Sequence, residues 1–281
     1  MFENINEVIC LGQGGSNSEI ALDQFYKHYN ISAYKRSLPS IAECVQYVEQ
    51  NPFAVGIIPI ENNVEGIIPE TCKELSSTKY NNIKILAQTI VPIHNCLLSK
   101  TTEFYSISGL IAHPKAIAHC QNFIKNEMPY NLNIVLAEDM ADAAGQLNRY
   151  NLTYAMIGTP KTAEIYNLNI LKQDIDNHND LNMRFVVIGN CETQVTGKDI
   201  TSIVLYLNDR KGALLDMVKV FVKYDTNITH INSKMQEGTA DKQAVFIDFE
   251  GHIHNPETQQ LLEELKPFAD EIKFSGSYAM F

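Results

Sequence analysis

No apolar run in this chain approaches the roughly 20 residues that a membrane helix needs. The opening stretch, MFENINEVICLGQGG, has neither a basic segment nor an apolar run of signal-peptide length. Basic residues are scarce. There are 22 Lys and Arg against 33 Asp and Glu, a formal net charge of −11. Such a surface repels phosphate backbones and anionic lipid, so neither nucleic acid nor membrane is an expected partner. An anionic small molecule would need a locally positive pocket. The six cysteines stand singly, without a Cys-x-x-Cys pair or a histidine at metal-ligand spacing. They read as small buried hydrophobes of a reducing compartment, the cytoplasm, and no metal or other cofactor is expected. Internal repeats and low-complexity tracts are also missing.

What is present is enough apolar material for two or three folding units, 45% of 281 residues. Residues 7–11, EVICL, read as a buried strand that ends in GQGGSNSE. A helix follows, capped by Ser16 or Ser18 with Glu19 in its first turn. Ser40 caps a second helix over residues 40–50, with Ile41, Cys44, Val45 and Val48 on one face. FAVGIIPI is a continuous apolar run, as in a strand covered on both sides. From about residue 83 strands and helices alternate again, which implies parallel α/β layers in two lobes with a cleft between them. The expected bounds are about 1–80 and 170–190 for lobe 1 and 81–169 for lobe 2, within a region of residues 1–190. Residues 199–281 follow βαββαβ, the ferredoxin-like order. Its first helix carries Leu214, Met217, Val218 and Phe221 at helical spacing, so at least one of Leu214 and Leu215 is expected in its core.

GIIPIENNVEGIIPET is more specific than periodicity. It resembles the signature of prephenate dehydratases: Pro59, Ile60, Glu61, Asn62, Gly66 and Thr71 match, and Asn63 replaces a serine. LGQGGSNSE, HPKAIAHC, AEIYNLNIL and DIDNHNDLNMRF resemble further blocks of that family in its order. GALLDMVKVFVKYDTNITHINSK resembles the phenylalanine-binding ACT module. The resemblance implies a two-lobed, periplasmic-binding-protein-like α/β catalytic region and a C-terminal ACT domain. It implies conversion of prephenate to phenylpyruvate, regulation by phenylalanine, and a homodimer or homotetramer. The opening strand leaves no room for an N-terminal chorismate mutase bundle, so a single activity is expected.

That reaction needs a dicarboxylate held, a ring oriented and a proton or strong hydrogen bond given to the leaving hydroxyl. The resemblance makes Arg184 the expected carboxylate partner through a two-pronged contact. Phe185, Gly66, Thr71 and Asp139 are expected around the substrate. Ser16 and the amides of GQGGSNS suggest an anion site at a helix start. Glu61, Asn62 and Asn63 follow a buried strand, where α/β sheets bind ligands; for the asparagines turn chemistry is the alternative. His113 with Pro114 reads as a structural turn.

The departures fall on pocket blocks. Met183 stands where the family's threonine hydroxyl meets the leaving group, and a thioether cannot donate. Asp139 and Met140 replace Ser-Thr, and Asn17 replaces Phe. Three readings are open: a dehydratase whose donor is Ser16, Glu61, Asp139 or Asn182; an enzyme that decarboxylates prephenate without aromatising it; or a sensor that kept the fold. In the C-terminal unit, Gly212, Ala213, Leu214, Leu215, Asn227, Ile231, Asn232 and Ser233 are the expected effector contacts. Asn232 replaces the family's acid there, and Lys234 its arginine.

Overall fold

The computed structural model describes residue 2 and residues 4–207, 210–235 and 243–279. The first stretch of chain gives β1 (Glu7–Leu11), α1 (Asn17–Tyr29), β2 (Tyr34–Leu38), α2 (Ile41–Gln50), β3 (Ala54–Asn62), β4 (Gly66–Ile67), α3 (Pro69–Ser76) and β5 (Lys84–Pro92). A second unit follows: β6 (Cys96–Ser99), β7 (Gly109–Ala112), α4 (Pro114–His119), α5 (Gln121–Glu127), β8 (Asn133–Leu136), α6 (Met140–Leu147), β9 (Tyr154–Gly158), α7 (Pro160–Tyr166) and β10 (Asn169–Lys172). The chain then returns through β11 (Asn182–Gly189). The last unit is β12 (Asp199–Leu207), α8 (Ala213–Lys223), β13 (Ile228–Met235), β14 (Gln243–Glu250), α9 (Pro256–Leu265) and β15 (Ala269–Ala279).

The apolar run around β3 sits at the centre of the first sheet, ordered β2-β1-β3-β11-β5, with β4 paired to β3. One face is covered by α1 through Ala21, Leu22 and Phe25, which meet Val8, Ile57, Phe185 and Val187. The other is covered by α2, whose Ile41, Cys44, Val45 and Val48 meet Ile58, Val186 and Ile188. Burial of each such aliphatic side chain contributes about 1.5–3 kcal/mol. β1 lies parallel to β2 and β3, whereas β11 runs antiparallel to both its neighbours, as a strand that returns from another lobe must. The second sheet is ordered β10-β6-β9-β7-β8.

The lobe boundary lies later than the sequence suggested. β5 stays in the first sheet, and the chain crosses between Pro92 and Cys96; β10, expected in lobe 1, pairs with β6 of the second sheet. Alternating apolar residues announce a strand but not the sheet it joins. The helical stretch after His113 divides at Cys120 into α4 and α5.

The third sheet is antiparallel, ordered β13-β14-β12-β15, which is the ferredoxin-like arrangement with α8 and α9 on one face. Its helix α8 buries Ala213, Met217, Val220 and Phe221. Leu214 and Leu215 were expected to supply a core position, but they are 49% and 60% exposed. The buried stripe keeps Met217 and Phe221 and takes Ala213 and Val220 in place of Leu214 and Val218. This unit docks on the α2 side of the first sheet, where Ile200 and Tyr278 join the core beside Leu75 and Ile85.

Candidate active site

β11 is a two-faced strand at the edge of the lobe crossing. Met183 packs, half-buried, on the α1 face with Phe185. Arg184 points the other way. Opposite it, β3 carries a bulge: Arg184 pairs with Glu61 and Phe185 with Pro59, leaving Ile60 as the extra residue. The bulge turns Glu61 to the same side as Arg184. Met183 pairs with Asn62 at the end of the sheet.

Arg184 does not face the gap between the lobes. Its guanidinium is buried, 9% exposed, toward the C-terminal unit. Nη1 donates to Asp248 Oδ2 at 2.6 Å and to Gln88 Oε1 at 3.0 Å. Nη2 lies 3.0 Å from Glu61 Oε2, an ion pair without the alignment of a hydrogen bond. Burial works against its charge, but Asp248, Tyr278 and Glu61 more than offset this and raise its pKa. The fork thus carries two of the chain's own carboxylates, Glu61 from lobe 1 and Asp248 from the C-terminal unit. Removing one partner of such a buried pair costs about 3–5 kcal/mol.

The other expected residues divide between turn chemistry and core. Asn62 Oδ1 accepts from the amides of Val64 and Glu65, and its Nδ2 donates to Glu65 Oε2 at 3.0 Å. Asn63 clamps the start of β11: Nδ2 donates to the Asp180 carbonyl at 2.7 Å, and Oδ1 accepts from the Asn182 amide at 2.8 Å. The Asn182 side chain also donates to the Asp180 carbonyl. Phe185, expected near substrate, is 1% exposed core. Thr71 is fully buried and donates to the Pro59 carbonyl at 2.6 Å, so it pins α3 to β3. Asp139 caps α6 by accepting from the Asp142 amide at 2.7 Å. Gly66, at φ 82°, opens β4 in a left-handed turn. His113 caps α4, a structural role as expected.

The two lobes meet at the glycine turn. Thr159 Oγ1 donates to the Gly15 carbonyl at 2.6 Å. Gly15 holds φ 85°, and a Cβ there would lie 2.5 Å from the Thr162 nitrogen, so only glycine lets the lobes approach. Ser16 caps α1. The anion site expected at that helix start carries the chain's own carboxylate: buried Glu19 accepts from the Gly15 amide and pairs with Lys35. Across the seam, Lys161 of α7 pairs with Asp23 of α1. Burial lowers the Lys161 pKa. Cys10 beneath them is raised chiefly by burial, while Lys35 and Lys161 pull it down. Each of these two lysines is paired with a carboxylate of α1, and no sequence signal separated them from ordinary surface lysines. A second bridge closes the far side, where His119 Nε2 lies 3.0 Å from Glu65 Oε1. Burial raises Glu65, but His119 and Asn62 outweigh it and hold its carboxyl below the usual range.

Of the expected effector contacts, Gly212 holds φ 84° at the start of α8, and Ala213 is buried. Leu214, Leu215 and Ile231 are exposed apolar side chains. Ser233 is exposed, Asn232 half-buried. Asn227 donates to Glu250 Oε1 at 3.1 Å. The Lys234 side chain lies outside the described residues. Among the described residues no group of three or more His, Cys, Asp or Glu is placed to hold a metal ion, and no helix is long and apolar enough to cross a membrane.

A family model described as prephenate dehydratase matches residues 8–193. The prephenate dehydratase of Methanocaldococcus jannaschii is 29% identical over 271 residues, 95% of this chain and 96% of that one. A crystal structure of a prephenate dehydratase from Arthrobacter aurescens in complex with L-Phe is 26% identical with a TM-score of 0.85, and the match covers 97% of this chain and 90% of that one. A structure described as a novel type of quorum quenching acylase has a TM-score of 0.82 at 20% identity, covering 98% of each chain; it shares the fold.

Proposed function

The chain belongs to the prephenate dehydratase family, and on that premise we propose that it converts prephenate to phenylpyruvate between its two lobes. In that reaction the bond from ring to carboxylate breaks, and carbon dioxide leaves. The electron pair enters the ring, and the hydroxyl departs with a proton as water. Aromatisation drives the step. The protein's part is to hold two carboxylates, align the departing groups and assist the hydroxyl.

The single observation behind the placement is the pair Lys35 and Lys161, cations from both sides of the lobe seam in an otherwise acidic chain. Each is held by a carboxylate of α1, Glu19 or Asp23, which a dicarboxylate ligand would displace. Gly15, Ser16 and Met183 belong to this side of lobe 1; Thr159 and Asp139 belong to lobe 2. Arg184 and Glu61 then support the site from behind.

Met183 favours one second reading. With a thioether at the leaving-group position, loss of carbon dioxide without loss of the hydroxyl is the competing chemistry. Purified full chain given prephenate separates them. Phenylpyruvate absorbance rising above the uncatalysed rate supports dehydration, a decarboxylated non-aromatic product supports the alternative, and no turnover removes both.

The C-terminal βαββαβ unit is read as an ACT domain that binds phenylalanine between copies of the chain. The exposed Leu214, Leu215 and Ile231 support a homodimer, singly or paired into a tetramer. The L-Phe complex of the Arthrobacter aurescens relative supports the effector. The mostly buried thiols of the six cysteines support a cytoplasmic setting.

A further inference from the structure

The buried cluster around Arg184 joins three parts of the chain that the proposed function leaves separate: the end of β3, the catalytic-position strand β11 and the edge strand β13. Asp248 of β14 takes Arg184 Nη1 at 2.6 Å, and its other oxygen accepts from Ser202 Oγ, which contacts Tyr278 Oη at 2.8 Å. His230 of β13 stands over both carboxylates, with Nδ1 3.7 Å from Asp248 Oδ2 and Nε2 3.9 Å from Glu61 Oε2. It lies opposite Asp248 in the sheet register. Two residues on, Asn232 lines the same cavity of about 30 Å³ as Arg184, His230 and Asp248. Arg184 Nε and Ser275 Oγ are buried there without a hydrogen-bond partner, so the cluster has alternative pairings within reach.

We propose that Arg184 and His230 form a relay from the effector strand to the catalytic lobe. His230 moves with β13 and changes which carboxylate holds Arg184. Arg184, through Glu61 and its own strand, sets the position of residue 183 on the opposite face. Arg184 is thus a positioning residue that acts through the β3–β11 pairing. Neither side of the relay needs to cross the lobe seam, because one strand carries the seam-side residue and the relay residue next to each other. This rests on the reading of phenylalanine as effector and of the lobe seam as the catalytic site.

The test uses the full chain and the variants His230→Gln and Asp248→Asn. His230 is 39% exposed at its side chain, so its substitution is compatible with folding even where Asp248→Asn is not. Three quantities are measured: phenylalanine binding by calorimetry, the phenylalanine concentration that half-inhibits phenylpyruvate formation, and phenylalanine-induced change in amide exchange across residues 59–63 and 183–187. The relay requires that His230→Gln bind phenylalanine within about threefold of the unmodified chain. Its half-inhibiting concentration rises about tenfold or more, and the exchange response at both segments is lost. A variant that keeps both the inhibition and the exchange response overturns the relay, as does loss of response only in proportion to lost binding. If the unmodified chain makes no phenylpyruvate, the proposed activity fails while the exchange response still decides the relay. If phenylalanine does not bind, the effector reading and the relay fail together.

Discussion

In the proposed function, residue 183 is the one that meets the leaving hydroxyl. A donor there is worth on the order of 10²–10³ in rate. Met183→Thr restores one on the same strand face as Phe185, so kcat for phenylpyruvate formation should rise or hold. A tenfold fall in steady-state assays would show that the thioether has its own role. Gly15 and Gly12 give a matched pair. Both hold positive φ, 85° and 67°, but a Cβ on Gly12 meets nothing within 4 Å, whereas one on Gly15 strikes Thr162. Gly12→Ala should cost about 1 kcal/mol of backbone strain. Gly15→Ala should cost more, about 1–3 kcal/mol, and raise KM as well, because the lobes can no longer close; denaturant midpoints and kinetics check both. At this scale residue types are legible in the sequence but their partners are not. Arg184 reads as an anion binder, and it is one, but its anions are Asp248 and Glu61 within the chain. A contact spanning 64 positions leaves no local trace. Asn62 and Asn63 were open between turn and ligand; Asn62 bonds within its own turn, whereas Asn63 bonds across the chain to residues 180 and 182.

Among the elements, the contact of β5 with β15 joins the C-terminal unit to lobe 1. Lys84 Nζ donates to the Phe274 carbonyl, and Lys273 Nζ to the Ser77 carbonyl. Burial, helped by neighbouring Lys84, lowers the Lys273 pKa from 10.5 to about 8. The folded state therefore binds this proton less readily than the unfolded chain. Charging Lys273 opposes folding below pH about 8, and the opposition fades as pH rises from about 8 toward 10.5. Lys273→Met should gain stability relative to the parent chain at pH 7, and the gain should shrink toward pH 10. Urea titrations across that range check the sign, and a pH-independent difference would contradict it. Elements with a strong apolar period, such as α2 and β3, were legible in the sequence. β2, the polar YKRSL at a sheet edge, was not, because only one of its sides is paired and its burial pattern does not alternate cleanly. The membership of β5 was illegible for a different reason: strand pairing across a lobe crossing is a long-range choice.

For the molecule as a whole, the exposed Leu214 and Leu215 on α8 predict assembly. Leu215→Glu places a charge where a second copy would pack, so sedimentation should show a shift toward monomer, and phenylalanine affinity should fall with it. An unchanged sedimentation profile would put the interface elsewhere. The order of strands and helices made the two-lobe plan and the ferredoxin-like unit readable from sequence. The way the third unit seats itself behind β11 was not readable, since it depends on a buried polar cluster rather than on any periodic stripe.

The crossing between lobes has one more implication. The amide of Ile93 donates to the carbonyl of Leu181 at 2.8 Å, so the whole second lobe leaves and rejoins lobe 1 through a doorway one hydrogen bond wide. Topologically it is a cassette inserted between the paired strands β5 and β11, with its two ends already side by side. A short peptide linking residue 92 to residue 182 would excise it, and a foreign domain with adjacent termini would graft onto the same stumps. Such chimaeras would put a new ligand-binding half under the control of an unaltered regulatory tail.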